Sequence, residues 1–220
     1  MNVKDAICER KSIRGYLDRA VSKETLEMLM KDATRAISAV NAQPWKFYIA
    51  AGETLENIRR ENQKCVEMGL PAEISDIKTE GVYRQRRVEV AKQLFGAMGI
   101  AKEDKLRRSW WGNRGINFFG APAAIVVTVD KSMKNQMMFD MGCVVQNLCI
   151  AAMEYGLGTC VADQPLTYKH VLESQFNIPE TEEVVCGIAI GYPDPDFPAN
   201  HVRTSREDME KIVKWFGFER

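Results

Sequence analysis

The sequence concentrates cations and a hydroxyl in one short segment near its N-terminus, Arg10-Lys11-Ser12-Ile13-Arg14. Alternate residues of an extended segment point in the same direction, so Arg10, Ser12 and Arg14 would face one ligand together. Guanidinium forks and a hydroxyl suit a phosphate group or the polar edge of a ring. A solvated basic turn is the alternative interpretation of the same residues.

A second segment, Ser38-Ala39-Val40-Asn41-Ala42-Gln43-Pro44-Trp45, lies between a predicted helix and a predicted strand. Its small and amide side chains allow close approach to a planar heterocycle and supply both hydrogen-bond donors and acceptors. The alternative is an ordinary polar loop in which Ser38 and Asn41 satisfy the backbone.

A third feature is the polar, arginine-rich stretch 70–119, which ends in Trp110, Trp111, Phe118 and Phe119. Residues 84–114 contain nine basic and three acidic side chains, a local excess of six positive charges. This pattern is typical of a solvated helical face. It also fits a mobile cap that presents charge and aromatic surface to a substrate. In that case the candidate substrate residues are Arg107, Arg108, Trp110 and Trp111.

The overall composition limits the class of protein. The 30 basic and 30 acidic side chains balance, which argues against a nucleic-acid binder because phosphate contacts need a basic excess. The N-terminus is charged, and no uncharged run reaches the roughly 18 residues of a membrane span. We therefore expect a cytoplasmic protein without membrane association. Its 220 residues favour a single domain over 1–220, with 70–119 as a variable excursion.

The six cysteines form no C-x-x-C pair, and several lie in apolar runs. We expect buried free thiols in a reducing compartment. His170 and His201 are the only histidines and stand in no cysteine cluster, so we expect no metal site.

Hydrophobic periodicity predicts the elements that must position these segments. The predicted helices cover 22–37, 54–68, 136–155, 167–176 and 205–216, and the predicted strands cover 45–51, 123–129 and 183–190, with a short apolar stretch at 159–162. Ser22 and Ser205 are the expected N-caps of the first and last helices. The helix at 136–155 is apolar almost all round, which predicts the centre of the core. Helices and strands mix without strict alternation, which indicates an α+β fold.

Taken in order, these motifs resemble the FMN-dependent nitroreductase family. Arg-x-Ser-x-Arg at 10–14 precedes Ser-x-x-Asn-x-Gln-Pro-Trp at 38–45, and the further matches are Phe139-Asp140-x-Gly142, Gln146-Asn147-Leu148, Ala151-Ala152, Gly156-Leu157-Gly158-Thr159-Cys160, Ile188-Ala189-Ile190-Gly191-Tyr192-Pro193 and Arg203. The resemblance covers nearly the whole chain, and 70–119 falls in the region that varies most within the family.

The resemblance implies a nitroreductase-like fold, with a central, mostly antiparallel sheet around a buried apolar helix, flanked by helices. It implies a homodimer with FMN at the subunit interface. Arg10, Ser12 and Arg203 would hold the FMN phosphate with Lys11 beside them, and Arg14 would reach the pyrimidine edge, where a cation stabilises reduced flavin. The other subunit would supply the residues Ser38, Ala39, Asn41 and Gln43. Backbone near Ala162 and Asp163 would lie beside flavin N5. The family often has glycine there, so Asp163-Gln164 departs from its pattern.

The implied activity is a two-step hydride relay. NADH or NADPH reduces FMN, and a small electron-poor acceptor such as a nitroaromatic or a quinone then takes the electrons. Since the flavin performs the chemistry, we expect no catalytic side chain. The alternatives are reductive dehalogenation of halophenols, a non-catalytic FMN-binding or carrier protein, and a structural protein without flavin.

Overall fold

The computed structural model, which describes residues 2–74 and 78–218, has an α+β architecture built on one antiparallel sheet. Its strands are β1 (Trp45–Ala51), β2 (Ala123–Asp130), β3 (Gly158–Ala162) and β4 (Glu182–Gly191). They lie in the order β1-β2-β4-β3, and every neighbouring pair is antiparallel. The predicted fold class is confirmed, and each predicted strand agrees with its observed bounds to within one residue.

Helices surround this sheet. In chain order they are α1 (Val3–Glu9), α2 (Lys23–Ala33), α3 (Gly52–Glu67), α4 (Gly81–Ala97), α5 (Lys105–Ile116), α6 (Lys134–Glu154), α7 (Lys169–Phe176) and α8 (Met209–Ile212). None of the helices in the described ranges combines the length and the apolarity that crossing a membrane requires.

The sheet is buried on both faces, as β2 shows. Ile125 and Val127 belong to one apolar cluster, which contains residues of α2 and α6. Ala124 and Val126 belong to a second cluster, which contains residues of α3 and α7. Because successive side chains of a strand point to opposite faces, both sets of β2 residues must be apolar. This explains the unbroken apolar run that predicted the strand.

The central helix α6 is buried on one face only. Met141, Leu148 and Ala152 are buried against the sheet. Met138 and Phe139 are 41% and 74% exposed, so the expectation of a helix at the centre of the core is only half right for a single chain. An exposed apolar face of this size indicates an interaction surface.

Two helix boundaries were predicted wrongly. The Ser22 cap is confirmed, since its Oγ accepts a hydrogen bond from the Thr25 amide at 3.1 Å. However, α2 ends at Ala33, and Ile37 is exposed. The predicted helix 205–216 is reduced to the single turn of α8, without a Ser205 cap. Its apolar residues find no core to pack on, and a short helix is marginal without tertiary packing.

The excursion at 70–119 forms the helices α4 and α5. Leu94, Ile100 and Trp111 pack with Ala199 into a third apolar cluster. The excursion is therefore docked on the segment around Ala199, close to the C-terminal part of the chain.

Candidate functional site

The structure gathers the N-terminal cations around one cavity of about 340 Å³, here called the basic cleft. Its lining includes Ser12 and five cations but no acidic residue; the cations are Arg10, Lys11, Arg14, Arg203 and Arg206. Two widely separated parts of the sequence thus meet at one positive site. Val90 of α4 also lines the cleft, so the excursion contributes one of its walls.

The segment that carries these cations is extended, as expected. Ser12 forms a parallel bridge with Thr159 of β3, and the Ile13 amide donates to the Thr159 carbonyl at 2.9 Å. The contact requires glycine at position 158, because a Cβ there would lie 2.4 Å from Cγ1 of Ile13. The edge of the sheet therefore sets the alternation that turns Arg10, Ser12 and Arg14 to one side.

A buried amide, Asn200, fixes the backbone beside Arg14. Its Oδ1 accepts from the Arg14 amide at 2.7 Å and from the Gly15 amide at 3.2 Å. Its Nδ2 donates to the Gly15 carbonyl at 2.8 Å and to the Asp194 carbonyl at 2.9 Å. Sequence analysis missed Asn200 because nothing distinguishes it from an ordinary loop asparagine before the fold buries it.

The cations of the basic cleft differ in how they are held. Arg203 donates to the carbonyls of Cys8 and Glu9 at 3.1 and 3.2 Å and pairs with the Glu9 carboxylate at 3.1 Å. It thereby caps the C-terminal end of α1. Among the described residues, Arg10 and Lys11 have no hydrogen-bonded or ion-paired side-chain partner. Their charges remain available to a ligand.

Neutral groups underlie the cleft. Burial raises the pKa of the Cys160 thiol, against the opposing effect of Arg14, and also raises the pKa of Cys149. Burial also holds the pKa of Tyr16 well above its usual value, and its hydroxyl donates to the Ile13 carbonyl at 2.7 Å. These groups therefore add no negative charge beneath the cleft, and the Glu9 carboxylate that pairs with Arg203 lies at its side.

A second cavity of about 330 Å³ adjoins the basic cleft and shares Arg10, Lys11 and Arg203 with it. Its other walls are largely apolar and include Leu157 and Met153. Together the two cavities offer a strongly cationic part and a mainly apolar part. That division suits a ligand with a phosphate at one end and a ring system at the other.

The loop containing Ser38, Ala39, Asn41 and Gln43 lies outside both cavities. Val40, Asn41 and Gln43 have positive φ angles of 48°, 57° and 48°. Asp140 of α6, which is buried, accepts from the Ala39 amide at 3.1 Å and holds the loop in this conformation. Val40 is 96% exposed. Left-handed backbone at a β-branched residue is costly and often marks a functional segment.

The predicted flavin-N5 segment borders the excursion. Ala162 ends β3, and the exposed Asp163 follows it. Gly115 of α5 packs so closely on Gln164 that a Cβ at position 115 would lie 2.3 Å from the amide carbon of that side chain. The excursion and this segment therefore form one continuous surface.

Most of the candidate substrate residues of the excursion have structural contacts. Arg107 donates to the carbonyls of Gly99 and Met98 at 2.7 and 2.8 Å. The Arg108 guanidinium lies 4.2 Å from the ring centre of Phe95. Trp111 is only 7% exposed, whereas Trp110 is 44% exposed. Substrate contact by these four residues stays a prediction, and the geometry leaves Trp110 as the most accessible of them.

The cysteine expectation holds for most positions. All six cysteines are free, and Cys65, Cys149, Cys160 and Cys186 are buried. Cys8 is exposed, so the expectation was wrong there. Its position in the short helix α1, which buries only Ala6, explains the difference.

Comparisons with known proteins agree with this geometry. The protein-family model described as "Nitroreductase family" matches residues 7–192 of the sequence. The chain is 31% identical to nitrobenzene nitroreductase of Ectopseudomonas oleovorans over 216 residues, covering 96% of this chain and 95% of that protein. It is 25% identical to 4-nitrobenzoate reductase of Pseudomonas putida over 221 residues, covering 97% and 95%. The crystal structure of the FMN and NADPH-dependent nitroreductase NfnB from Sphigopyxis sp. strain HMH superposes with a TM-score of 0.93 at 26% identity, covering 99% of this chain and 100% of that one.

Proposed function

The chain belongs to the nitroreductase family, and we propose that it reduces nitroaromatic compounds, including those that carry an anionic group. It is an FMN-dependent oxidoreductase that uses NADH or NADPH as electron donor. The observation that carries the proposal is the basic cleft, which combines five cations, a hydroxyl and no acidic residue beside an apolar cavity.

The donor set fits FMN. A phosphate needs several cationic or N–H donors, and Arg10, Ser12 and Arg203 line the cleft together, with Arg203 also paired to the Glu9 carboxylate at 3.1 Å. The isoalloxazine ring needs an apolar wall with a polar edge; the adjoining cavity provides the apolar wall, and Arg14 provides a polar group on the side of the basic cleft. We assign the phosphate to Arg10, Lys11, Ser12 and Arg203, and the pyrimidine edge to Arg14.

When bound, FMN supplies hydride transfer between the nicotinamide and the acceptor. The residues of the chain orient and stabilise. Arg14, whose backbone is fixed by Asn200, provides a positive charge for the anionic form of the ring. Val90, from helix α4 of the docked excursion, forms an apolar part of the cleft wall. No side chain of the site is required to exchange a proton with the acceptor.

We propose a homodimer in which the loop at 38–43 completes the partner's site. The support is the combination of exposed apolar surfaces on one chain: Phe139 on α6, the tip of the loop at Val40, and Phe216, which is 84% exposed, in the C-terminal segment. Apolar patches of this kind mark interfaces. Sedimentation should give about twice the 24.9 kDa chain mass, and Phe139→Glu should shift the protein to monomer and weaken FMN binding.

Anaerobic reduction of the purified protein tests the activity. NADH and NADPH are added separately while the visible absorbance of the oxidised flavin is followed, and 4-nitrobenzoate, nitrobenzene, a quinone or a halophenol is then supplied. We expect bleaching by at least one nucleotide and recovery with the nitro compounds. Arg10→Met should weaken FMN binding, whereas the matched control Arg35→Met, which removes an arginine from the exposed surface beyond α2, should leave it unchanged.

Each of the other outcomes would indicate a different function for the chain. Recovery with the halophenol alone would indicate a dehalogenase, and reduction without transfer to any acceptor would indicate a carrier. A colourless protein that gains no stability from FMN would contradict the proposal entirely, since saturation at a hundred times Kd should add about 2.7 kcal/mol.

A further inference from the structure

Arg114 of α5 connects the excursion to the N-terminal segment that carries Arg14. Its Nη2 donates to the Arg14 carbonyl at 2.9 Å and to the Phe119 carbonyl at 2.8 Å. One guanidinium thereby joins the main chain beside the basic cleft to the turn that ends the excursion. Arg114 lines neither the basic cleft nor the apolar cavity beside it, so it is not among the residues assigned to FMN.

The ring of Phe119 lies beside the Arg14 side chain. The Arg14 guanidinium carbon is 5.9 Å from the centre of this ring, a distance at which a cation is attracted to an aromatic face. Phe119 is 2% exposed, and its ring centre lies 6.2 Å from that of Trp111 on α5. Arg114 therefore holds the main chain from which the Arg14 side chain extends, and also the residue whose ring the guanidinium contacts.

The turn that carries Phe119 is itself strained. Phe118 and Phe119 have φ angles of 53° and 54°, a left-handed conformation that is costly for bulky side chains. Arg59 of α3 donates to the Ala121 carbonyl at 2.5 Å, while Arg114 bonds the Phe119 carbonyl. Strain of this kind persists where the surroundings determine the conformation several times over, and it is concentrated at functional sites.

Aromatic rings fix Arg114 in turn. Its guanidinium lies 4.9 Å from the ring centre of Phe197 and 5.4 Å from that of Trp110. Phe197 packs on Gly15, where an added Cβ would collide with the Phe197 ring. Arg114 is thus held between the excursion and the loop that packs on the residue next to Arg14.

We propose that Arg114 is a positioning residue for the flavin, which fixes the Arg14 guanidinium and thereby raises the reduction potential of bound FMN. The inference rests on the proposed function, in which Arg14 serves the pyrimidine edge. A cation there favours the reduced, anionic ring over the oxidised ring, so the place of the guanidinium affects the potential. The excursion then contributes to the cofactor as well as to the cleft wall.

Redox titration of the FMN-loaded protein against a reference dye tests the proposal. The potential reports the ratio of the affinities for reduced and oxidised FMN. Arg14→Met should lower this ratio by about tenfold, which corresponds to about 30 mV for a two-electron couple. Arg114→Met should lower it by about threefold, because residues in contact within one hydrogen-bonded network are coupled by at least roughly this factor.

Two further variants separate positioning from a general loss of stability. Arg107→Met is the matched control, because Arg107 also donates to two carbonyls of the excursion, those of Gly99 and Met98, and contacts neither Arg14 nor Phe119. It should destabilise the protein and leave the ratio unchanged. Arg114→Lys keeps a cation that can donate to the Arg14 carbonyl, so it should return the ratio towards that of the wild type.

The double variant shows whether Arg114 acts through Arg14. Arg14→Met combined with Arg114→Met should lower the ratio no further than Arg14→Met alone, since both changes affect one side chain. Additive effects, or an equal shift in Arg107→Met, would overturn the positioning role. The role would also be overturned if Arg14→Met lowered the ratio and Arg114→Met did not. If Arg14→Met changed neither the ratio nor FMN affinity, the assignment of Arg14 in the proposed function would itself be wrong.

Discussion

The four arginines of the basic cleft and the six arginines of the excursion differ in what their charges contact. Arg10 meets no partner side chain among the described residues, and its neighbour Lys11 meets none. In the excursion, Arg107 and Arg114 both donate to main-chain carbonyls, and Arg108 lies over a ring. Arg10 and Lys11 therefore offer charge to a ligand, whereas Arg203 of the cleft, like the excursion arginines, makes contacts that stabilise the protein.

The comparison shows that a count of charges does not measure the field available to a substrate. The six excess positive charges of residues 84–114 suggested an attractive cap. In the structure, much of that charge is paired with carbonyl dipoles or carboxylates, as where Arg86 meets Glu207 at 2.6 Å. The N-terminal segment is shorter but keeps its charge, because the edge of the sheet holds it extended and no carboxylate lines the cleft.

The largest expected effect comes from removal of Arg114, which tests whether the arginines of the excursion stabilise the protein. Arg114→Met loses donors to the carbonyls of Arg14 and Phe119 and should lower the free energy of unfolding by about 3 kcal/mol, since hydrogen bonds to charged groups each contribute 1.5–3 kcal/mol. Urea denaturation measures this. Arg84→Met, an exposed change in the same excursion, should alter stability by less than about 0.5 kcal/mol. If Arg114→Met altered stability no more than Arg84→Met does, the contacts of Arg114 would not stabilise the protein, and the comparison would fail.

Removal of Arg10 should weaken ligand binding and leave stability unchanged, which is the opposite of the effect expected for Arg114. Arg10→Met should raise the FMN dissociation constant by about tenfold or more, because a charge-assisted contact to phosphate is lost. The unfolding free energy of the flavin-free protein should stay nearly unchanged, since Arg10 has no side-chain partner there. Fluorescence titration with FMN and denaturation of the apoprotein give the two numbers. A large loss of apoprotein stability would contradict the comparison.

Binding of inorganic phosphate should distinguish the cations of the basic cleft from the arginines of the excursion, with a smaller effect. Phosphate at about five times its Kd should stabilise the flavin-free protein by about 1 kcal/mol through the basic cleft. Thermal unfolding with and without phosphate measures the effect. Stabilisation should diminish in Arg10→Met and persist in Arg108→Met. Its persistence in both variants would place the anion elsewhere.

The smallest expected effect is the change in stability at acidic pH that arises from Glu207. The pKa of Glu207 is lowered to about 2, mainly by Lys211 and also by Arg86 of α4. Because this folded-state pKa lies below the ordinary value of 4.5, the stabilisation is fully present above pH 4.5 and declines as the pH falls towards 2. The difference in stability between wild type and Glu207→Gln should therefore be larger at pH 6 than at pH 3. Since the ion pair lies at the surface, with the Glu207 side chain 22% exposed, salt should reduce the difference. A constant difference at both pH values would exclude this ion pair as its source.

Agreement between sequence and structure is closest where one local rule suffices. β1 was predicted at 45–51 and is found there, because a short run rich in aromatic residues that is followed by glycine favours a strand. The Ser22 cap was predicted from the first turn alone. The C-terminal helix failed because its formation depends on a packing surface that a single chain does not supply.

The sequence by itself determined the α+β class, the strands, and the local cluster Arg10-Lys11-Ser12-Ile13-Arg14, since these depend on periodicity and on neighbouring residues. Only the tertiary structure decided which charges remain available. Asn200 is joined to Arg14, and Asp140 to Ala39, across more than a hundred residues. A carbonyl that neutralises an arginine, or an amide that fixes its backbone, is chosen by the packing of distant segments. The charges of the N-terminal segment are thus a local property of the sequence, whereas the fold brought Arg203 to them and left Arg10 and Lys11 without a side-chain partner among the described residues.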